Sequence, residues 1–278
     1  MTTSNPPDWN SFSRATASQK WRKQSAAMGS GMTEAIVAAA QVSPGMRVLD
    51  IACGTGEPSI SIAHLMNGTG EVVGVDISPV PIATATERAR QHGLTNARFQ
   101  EADVHQLLFP DATFDRIASR LGVMFFADLP KALSEMHRVL KPGGRVTLLA
   151  WGKFDQPYFQ TTIGTILTLL PDSPITPAAK SMNKFGTADI LAKSMREGGF
   201  TQVAENLTDV PWTWPGTMEE VWEYFQDVVV PFHPTLQSIP AERRPEIDQA
   251  VIEAMKKYQV GDEVRFTAHV NITSATRN

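Results

Sequence analysis

Apolar and polar positions follow two alternating rhythms up to residue 151. Short apolar runs at 47–52 (RVLDIA), 71–76 (EVVGVD), 97–103 (ARFQEAD), 114–120 (FDRIASR) and 145–151 (RVTLLAW) have the length and β-branched content of buried strands. Before the first of them, residues 32–42, and between them, residues 57–66, 81–92 and 129–140, carry apolar positions at helical spacing. Local punctuation agrees. Ser43-Pro44-Gly45, Asn67-Gly68, Gly93 and Lys141-Pro142-Gly143-Gly144 stop these helices, and Pro58 falls in a first turn, where a missing N–H costs nothing. Strand and helix alternating at this interval predict parallel strands joined by right-handed crossovers, an α/β doubly wound sheet.

After Trp151 the rhythm changes. Residues 153–174 are rich in aromatic and apolar side chains but show no strand pattern. A helix with a glycine stop is expected over 187–200 and a strand over 201–214. Helices follow over 217–230 and 242–258, and a last strand over 263–275. This reading assigns 1–215 to the sheet domain with its N-terminal helices, 216–260 to a helical insertion, and 261–278 to the final strand of the domain. Trp222, Phe225 and Phe232 suit a lid over a pocket. Trp9, Phe12 and Trp21 form an N-terminal aromatic segment that either closes over a ligand or anchors a docked helix.

Composition narrows the partners. Of 278 residues 42% are hydrophobic, enough for one large domain or a domain with an insertion. The formal charge of −4 gives no basic field to select nucleic acid or an anionic membrane. A single cysteine, Cys53, excludes an internal disulfide and a cysteine-based zinc cluster. No run of 18 uncharged apolar residues is present to span a bilayer, and residues 1–12 lack the pattern of a signal peptide. A cytoplasmic protein acting on a small molecule is the expectation, with the oligomeric state open.

In doubly wound sheets the ligand lies outside the carboxyl ends of the strands. There this chain carries Asp50 and Gly54-Thr55-Gly56 after strand one, Asp76 after strand two, Asp103 after strand three, and Ser119-Arg120 after strand four. A dinucleotide would need GxGxxG, but the third glycine position is Ser59. Glu57-Pro58 also makes a poor seat for pyrophosphate, which wants free amides and no nearby anion. S-adenosylmethionine, a cationic nucleoside without phosphate, fits better. Asp50 can attract its ammonium, directly or through water. Gly54 and Gly56 let the backbone lie against it. Asp76, twenty residues after Gly56, can accept from the ribose hydroxyls, and Ile77 can pack on adenine. Asp103 can accept from the adenine amino group, and the Val104 N–H can donate to a ring nitrogen. Cys53 takes the place of a small residue lining the turn rather than a nucleophile. Arg120 either contacts donor or acceptor or pairs with a surface carboxylate. No clustered carboxylates at the strand ends suggest a metal.

The blocks VLDIACGTG, GVDIS, EADVHQL, FDRIASR and RVLKPGGRV together resemble the class I S-adenosylmethionine-dependent methyltransferases, in particular the ubiquinone/menaquinone biosynthesis C-methyltransferases. The resemblance covers residues 45–152. It implies a Rossmann-like, seven-stranded sheet whose last strand is antiparallel, with the donor over strands one to four. It implies donor contacts at Asp50, Gly54, Gly56, Asp76, Ile77, Asp103 and Val104. Pro81 stands where the family often has Met. Ser119-Arg120-Leu121-Gly122 replaces the Asn/Asp-Pro-Pro-Tyr/Phe of nitrogen-modifying enzymes. The expected activity is methyl transfer to carbon or oxygen of a small, partly apolar acceptor, with Met124, Phe125, Phe126, Tyr158, Phe159, Trp222 and Phe232 as candidate lining. The alternatives are a nicotinamide-dependent oxidoreductase and a non-catalytic S-adenosylmethionine-binding protein.

Overall fold

Residues 20–278 are described by a computed structural model. Two helices, α1 (Arg22–Met28) and α2 (Ser30–Ala40), precede β1 (Arg47–Ile51). Then come α3 (Ser59–Leu65), β2 (Glu71–Asp76), α4 (Pro79–Gln91), β3 (Ala97–Glu101), β4 (Phe114–Arg120), α5 (Leu129–Val139) and β5 (Leu140–Trp151). Short helical turns lead to α6 (Ile190–Glu197), β6 (Thr201–Pro215), α7 (Met218–Val228), α8 (Arg244–Met255), β7 (Gln259–Val260) and β8 (Glu263–Thr276). Contacts group the chain into two compact units.

The larger unit, Met32–Gly152, Phe185–Thr208 and Val270–Asn278, holds β1 to β5 and parts of β6 and β8. Strand order is β3-β2-β1-β4-β5-β8-β6, with the two-residue β7 paired on β8. β1 to β5 pair in parallel, and β8 runs antiparallel to β5. The seven main strands thus include an antiparallel last strand, as the resemblance implied. The runs at β1, β2, β4 and β5 are continuous because these strands are covered on both faces. Val48, Leu49, Val72, Val73, Ile117, Val146 and Leu148 are fully buried. Asp50 is in register with Gly74 on one side and Ala118 on the other. Strand order reverses between β1 and β4, so the carboxyl ends there form the ligand crevice of such a sheet.

The start of β5 differs most from the sequence expectation. Helix α5 does end before Lys141-Pro142-Gly143-Gly144, at Val139, but β5 begins at Leu140 rather than 145, so that stretch lies inside the strand. Leu140 pairs with Phe114 and Arg145 with Arg116, and the residues between bulge out of the ladder. Gly143 takes φ +75° to do so, and its N–H donates to the Arg277 carbonyl.

The second unit comprises Lys153–Lys184, Asp209–His269 and the described part of Met1–Gly31. It is larger than the expected 216–260 insertion, because aromatic contacts join 153–184 to it. Tyr158 lies edge-on to Trp212, Phe225 and Phe266, with ring centroids 5.9, 5.8 and 5.8 Å away. Phe225 stacks on Trp222 at 5.7 Å and on Phe232 at 5.9 Å. A capping box of Thr217 and Glu220 starts α7, which presents Trp222 and Phe225 to this cluster. Trp21 packs edge-on to Trp214 and donates from Nε1 to Asp227 at 2.7 Å. The other two residues of the N-terminal aromatic segment, Trp9 and Phe12, lie outside the described residues.

Candidate functional site

β1 ends on a turn that only small residues can follow. Ala52, Gly54 and Gly56 all have positive φ, of 58°, 53° and 110°. A Cβ on Gly56 would lie 2.8 Å from Ile60 Cδ1 and 3.3 Å from the Ala85 methyl, so glycine is favoured by its φ of 110° and a side chain there would also have to displace the Ile60 tip. At Gly54 a Cβ would meet nothing within 4 Å. That side of the turn is open, and its backbone can be approached. Cys53 is 2% exposed, and its thiol points at Gly74 instead of the open side. Burial, and then the Asp50 and Asp76 carboxylates, push the thiol well above its ordinary range, which leaves it inert. Its contribution to the turn is a carbonyl that accepts the Gly56 N–H at 2.9 Å.

Three carboxylates follow successive strands. Asp50 is fully buried. Its Oδ2 accepts from the Ser59 N–H at 3.1 Å and the Ser59 hydroxyl at 2.6 Å, while Oδ1 is buried without a protein partner. Burial pushes its carboxyl up to about 7, against the opposing pull of the Ser59 bonds and the Arg120 charge. Arg120 is half-buried, donates to the Thr33 hydroxyl at 3.0 Å, and acts on Asp50 through its charge. Asp76 accepts from the Gly54 N–H at 2.9 Å on one oxygen and from the Ser78 N–H at 3.0 Å on the other. Each oxygen keeps a second lone pair. Ile77 beside it is 59% exposed, unusual for isoleucine.

Asp103 Oδ1 accepts from the His105 N–H at 2.9 Å and from His105 Nδ1 at 2.6 Å. Partial burial alone would push this carboxyl up; the His105 bonds outweigh it and hold the group below its ordinary range. His105 Nε2 accepts the Asp128 N–H at 3.2 Å, which assigns the ring proton to Nδ1. Asp128 in turn caps α5 through the Lys131 N–H at 3.0 Å. His105 therefore ties the loop after β3 to the start of α5. Val104, between Asp103 and His105, has a buried side chain.

Two residues that hold the turn from neighbouring helices escaped sequence reasoning. Ser59 looked like a missing glycine but is the hydrogen-bond partner of Asp50. Arg88, on α4, was not singled out in the sequence, yet is 9% exposed. Its Nη1 donates to the Thr55 carbonyl at 2.5 Å and its Nη2 to Glu57 at 3.1 Å. The available signal was helical spacing: Ala85, Arg88 and Ala89 form the inward face of α4.

These residues suit a phosphate-free cation. The unpartnered Oδ1 of Asp50 calls for a donor, the open side of Gly54 accepts a ligand against the backbone, and Ile77 offers an apolar face to cover. Carboxylates at three neighbouring strand ends would repel pyrophosphate. Among the described residues no group of three or more His, Cys, Asp or Glu side chains could hold a metal ion, and no helix is long and apolar enough to cross a membrane.

Comparison with known proteins agrees with this chemistry. Residues 42–156 match the methyltransferase-domain family. The chain is 36% identical over 172 residues to demethylmenaquinone methyltransferase of Thermus thermophilus, covering 58% of this chain and 77% of that protein. It is 34% identical over 179 residues to the ubiquinone/menaquinone biosynthesis C-methyltransferase UbiE of Shewanella oneidensis, covering 60% of this chain and 71% of that protein. Among solved structures, the YcgJ protein of Bacillus subtilis shares the fold, with a TM-score of 0.57 and 22% identity over 88% of this chain and 98% of that one. With a relative 36% identical of which this chain covers 77%, the chain belongs to the UbiE-like family of class I methyltransferases, with S-adenosylmethionine as its methyl donor.

Proposed function

We propose that this enzyme methylates a ring carbon of a quinol-type acceptor, an aromatic diol with an apolar substituent. The observation that carries this is the 36% identity to demethylmenaquinone methyltransferase, of which the chain spans 77%. The chemistry is consistent with it. An ionised ring hydroxyl makes the adjacent carbon nucleophilic, so a quinol brings its own activation. Transfer breaks a carbon–sulfur bond, forms a carbon–carbon bond and releases the ring proton.

The donor, once bound, supplies an electrophilic methyl group on a sulfonium. The residues of the site then have distinct tasks. Asp76 uses its remaining lone pairs to accept from the ribose hydroxyls, and Ile77 covers the adenine face. Asp103, held by His105, accepts from the adenine amino group, and the Val104 N–H donates to a ring nitrogen. Asp50 Oδ1 takes the ammonium or a bridging water, with Arg120 favouring its ionised form. Gly54 lets the backbone lie against the amino-acid tail. Fixing both reactants in this way can supply roughly 7–11 kcal/mol of the barrier in favourable cases.

The test is turnover with methyl-labelled donor on a demethylated naphthoquinol, a benzoquinol and a simple phenol, with the products fragmented by mass spectrometry. Label on a ring carbon of a quinol is the expected result. An O-methyl ether as the product, or label confined to the simple phenol, would overturn the proposal.

A further inference from the structure

We propose that Arg88 is the positioning residue of the donor turn, locking the Thr55 carbonyl so that Gly54 and Gly56 hold their donor-facing conformation. The inference rests on reading that turn as the donor's seat.

The hydrogen bonds around the turn explain why an arginine is needed. A carbonyl at the entry of a helix accepts from the N–H four residues on, or three in a tighter turn. For Thr55 those donors are missing. The Ser59 N–H is given to Asp50 at 3.1 Å, and residue 58 is proline, which has none. The Thr55 carbonyl instead takes its hydrogen from Arg88 Nη1 at 2.5 Å. The second arm of the guanidinium donates to Glu57 Oε1 at 3.1 Å. Glu57 Oε2 accepts from the Ser61 hydroxyl at 2.7 Å and the Ser61 N–H at 3.4 Å. Arg88 thus holds both sides of Gly56. Thr55 sits between two glycines with no side chain to restrain them. The Gly56 N–H of the same planar peptide donates to the Cys53 carbonyl at 2.9 Å, and Arg88 holds the carbonyl on the opposite edge of that plane, so the peptide is fixed from both sides.

The pair is enclosed, with side chains 10% and 15% exposed for Arg88 and Glu57. An enclosed guanidinium that bonds a carbonyl and a carboxylate at once cannot be replaced by lysine without losing one bond, because only the planar fork presents two donors in fixed directions. Removing it leaves the Thr55 carbonyl without a donor and Glu57 as an uncompensated anion beside the turn.

Arg88→Met, Arg88→Lys, Glu57→Gln and Asp76→Ala would be compared by calorimetric affinity for S-adenosylhomocysteine, by kcat and donor KM, and by thermal midpoint. Arg88→Met should raise the dissociation constant and donor KM at least about tenfold, with kcat at saturating donor within about twofold. Arg88→Lys should fall between it and wild type. Glu57→Gln keeps the Thr55 bond and should cost less than about threefold. A lowered thermal midpoint with unchanged affinity in both Arg88 variants would reduce Arg88 to a structural brace. Equal losses in Arg88→Met and Glu57→Gln would transfer the effect to the ion pair and also overturn the proposal. Unchanged affinity in Asp76→Ala would instead refute the donor seat itself, whatever the Arg88 variants do.

Discussion

Asp50 should make donor binding pH-dependent near neutrality. The folded chain holds this carboxyl at about 7, against 3.8 for the free side chain, chiefly because it is fully buried. Between about pH 4 and pH 7 the folded state therefore keeps a proton that the unfolded state has released. Stability falls as pH rises through this window and levels off above it. Three pH units correspond to about 4 kcal/mol, which the donor-free protein loses once Asp50 ionises. The donor reverses the preference, because its ammonium at Oδ1 favours the carboxylate. Below pH 7 binding must expel the proton, so affinity should fall towards tenfold per pH unit, and close to one proton should be released on binding at pH 6. Asp50→Asn has no proton to release. At pH 7.5 it should bind S-adenosylhomocysteine about ten- to a hundredfold more weakly, show little pH dependence, and be more stable than wild type without ligand. The assay is titration calorimetry with S-adenosylhomocysteine from pH 5.5 to 7.5 in two buffers of different ionisation enthalpy. This product carries the ammonium without the sulfonium and so isolates the contact. A wild-type affinity that stays flat with pH, or an Asn variant that keeps wild-type affinity, would refute the reasoning.

Removing the ring of His105 takes one of the two bonds to Asp103, leaving the backbone N–H bond, and cuts the bond to the start of α5, so His105→Ala should weaken donor binding about three- to tenfold by the same calorimetry; unchanged affinity would detach Asp103 from adenine recognition. Phe225, fully buried between Trp222 and Phe232, should lose about 3–5 kcal/mol of stability on replacement by Ala, measured by urea unfolding, and a loss below about 1 kcal/mol would mean that the cluster is not a packed interior. Tyr158 has a buried hydroxyl without a protein partner. Tyr158→Phe should be neutral or stabilising by about 1 kcal/mol, and clear destabilisation in the same experiment would show that the hydroxyl is bonded.

The sheet was legible because parallel strands buried on both faces appear in sequence as unbroken apolar runs, and the order of those runs put Asp50, Asp76, Ile77, Asp103 and Arg120 at or near the carboxyl ends of β1 to β4, where the structure has them. The contacts they make to a donor remain the proposal made above. What stayed hidden depends on contacts between distant segments. The Pro142-Gly143-Gly144 stretch carries every sign of a stop, yet the ladder with β4 resumes across it as a bulge. The second unit gathers 153–184 because Tyr158 meets rings from Trp212 to Phe266, a fact of packing that no local pattern records.

Ser59 shows how one substitution carries a different meaning in space. In a line of sequence it breaks the dinucleotide fingerprint, because a third glycine is missing. In the fold, its N–H and hydroxyl both go to Asp50, so the position that a dinucleotide fold keeps bare is used to hold a buried carboxylate. That diversion leaves the Thr55 carbonyl without its helical donor, and Arg88 fills the place. Asp50, Ser59, Thr55 and Arg88 are therefore one linked set. A carboxylate turned toward a cationic ligand requires a hydrogen-bond donor behind it, and the donor taken from the helix has to be replaced by a cation from the next helix. On the proposal made above, the choice of a cationic nucleoside over a pyrophosphate rests on that set rather than on the glycines that both kinds of turn share.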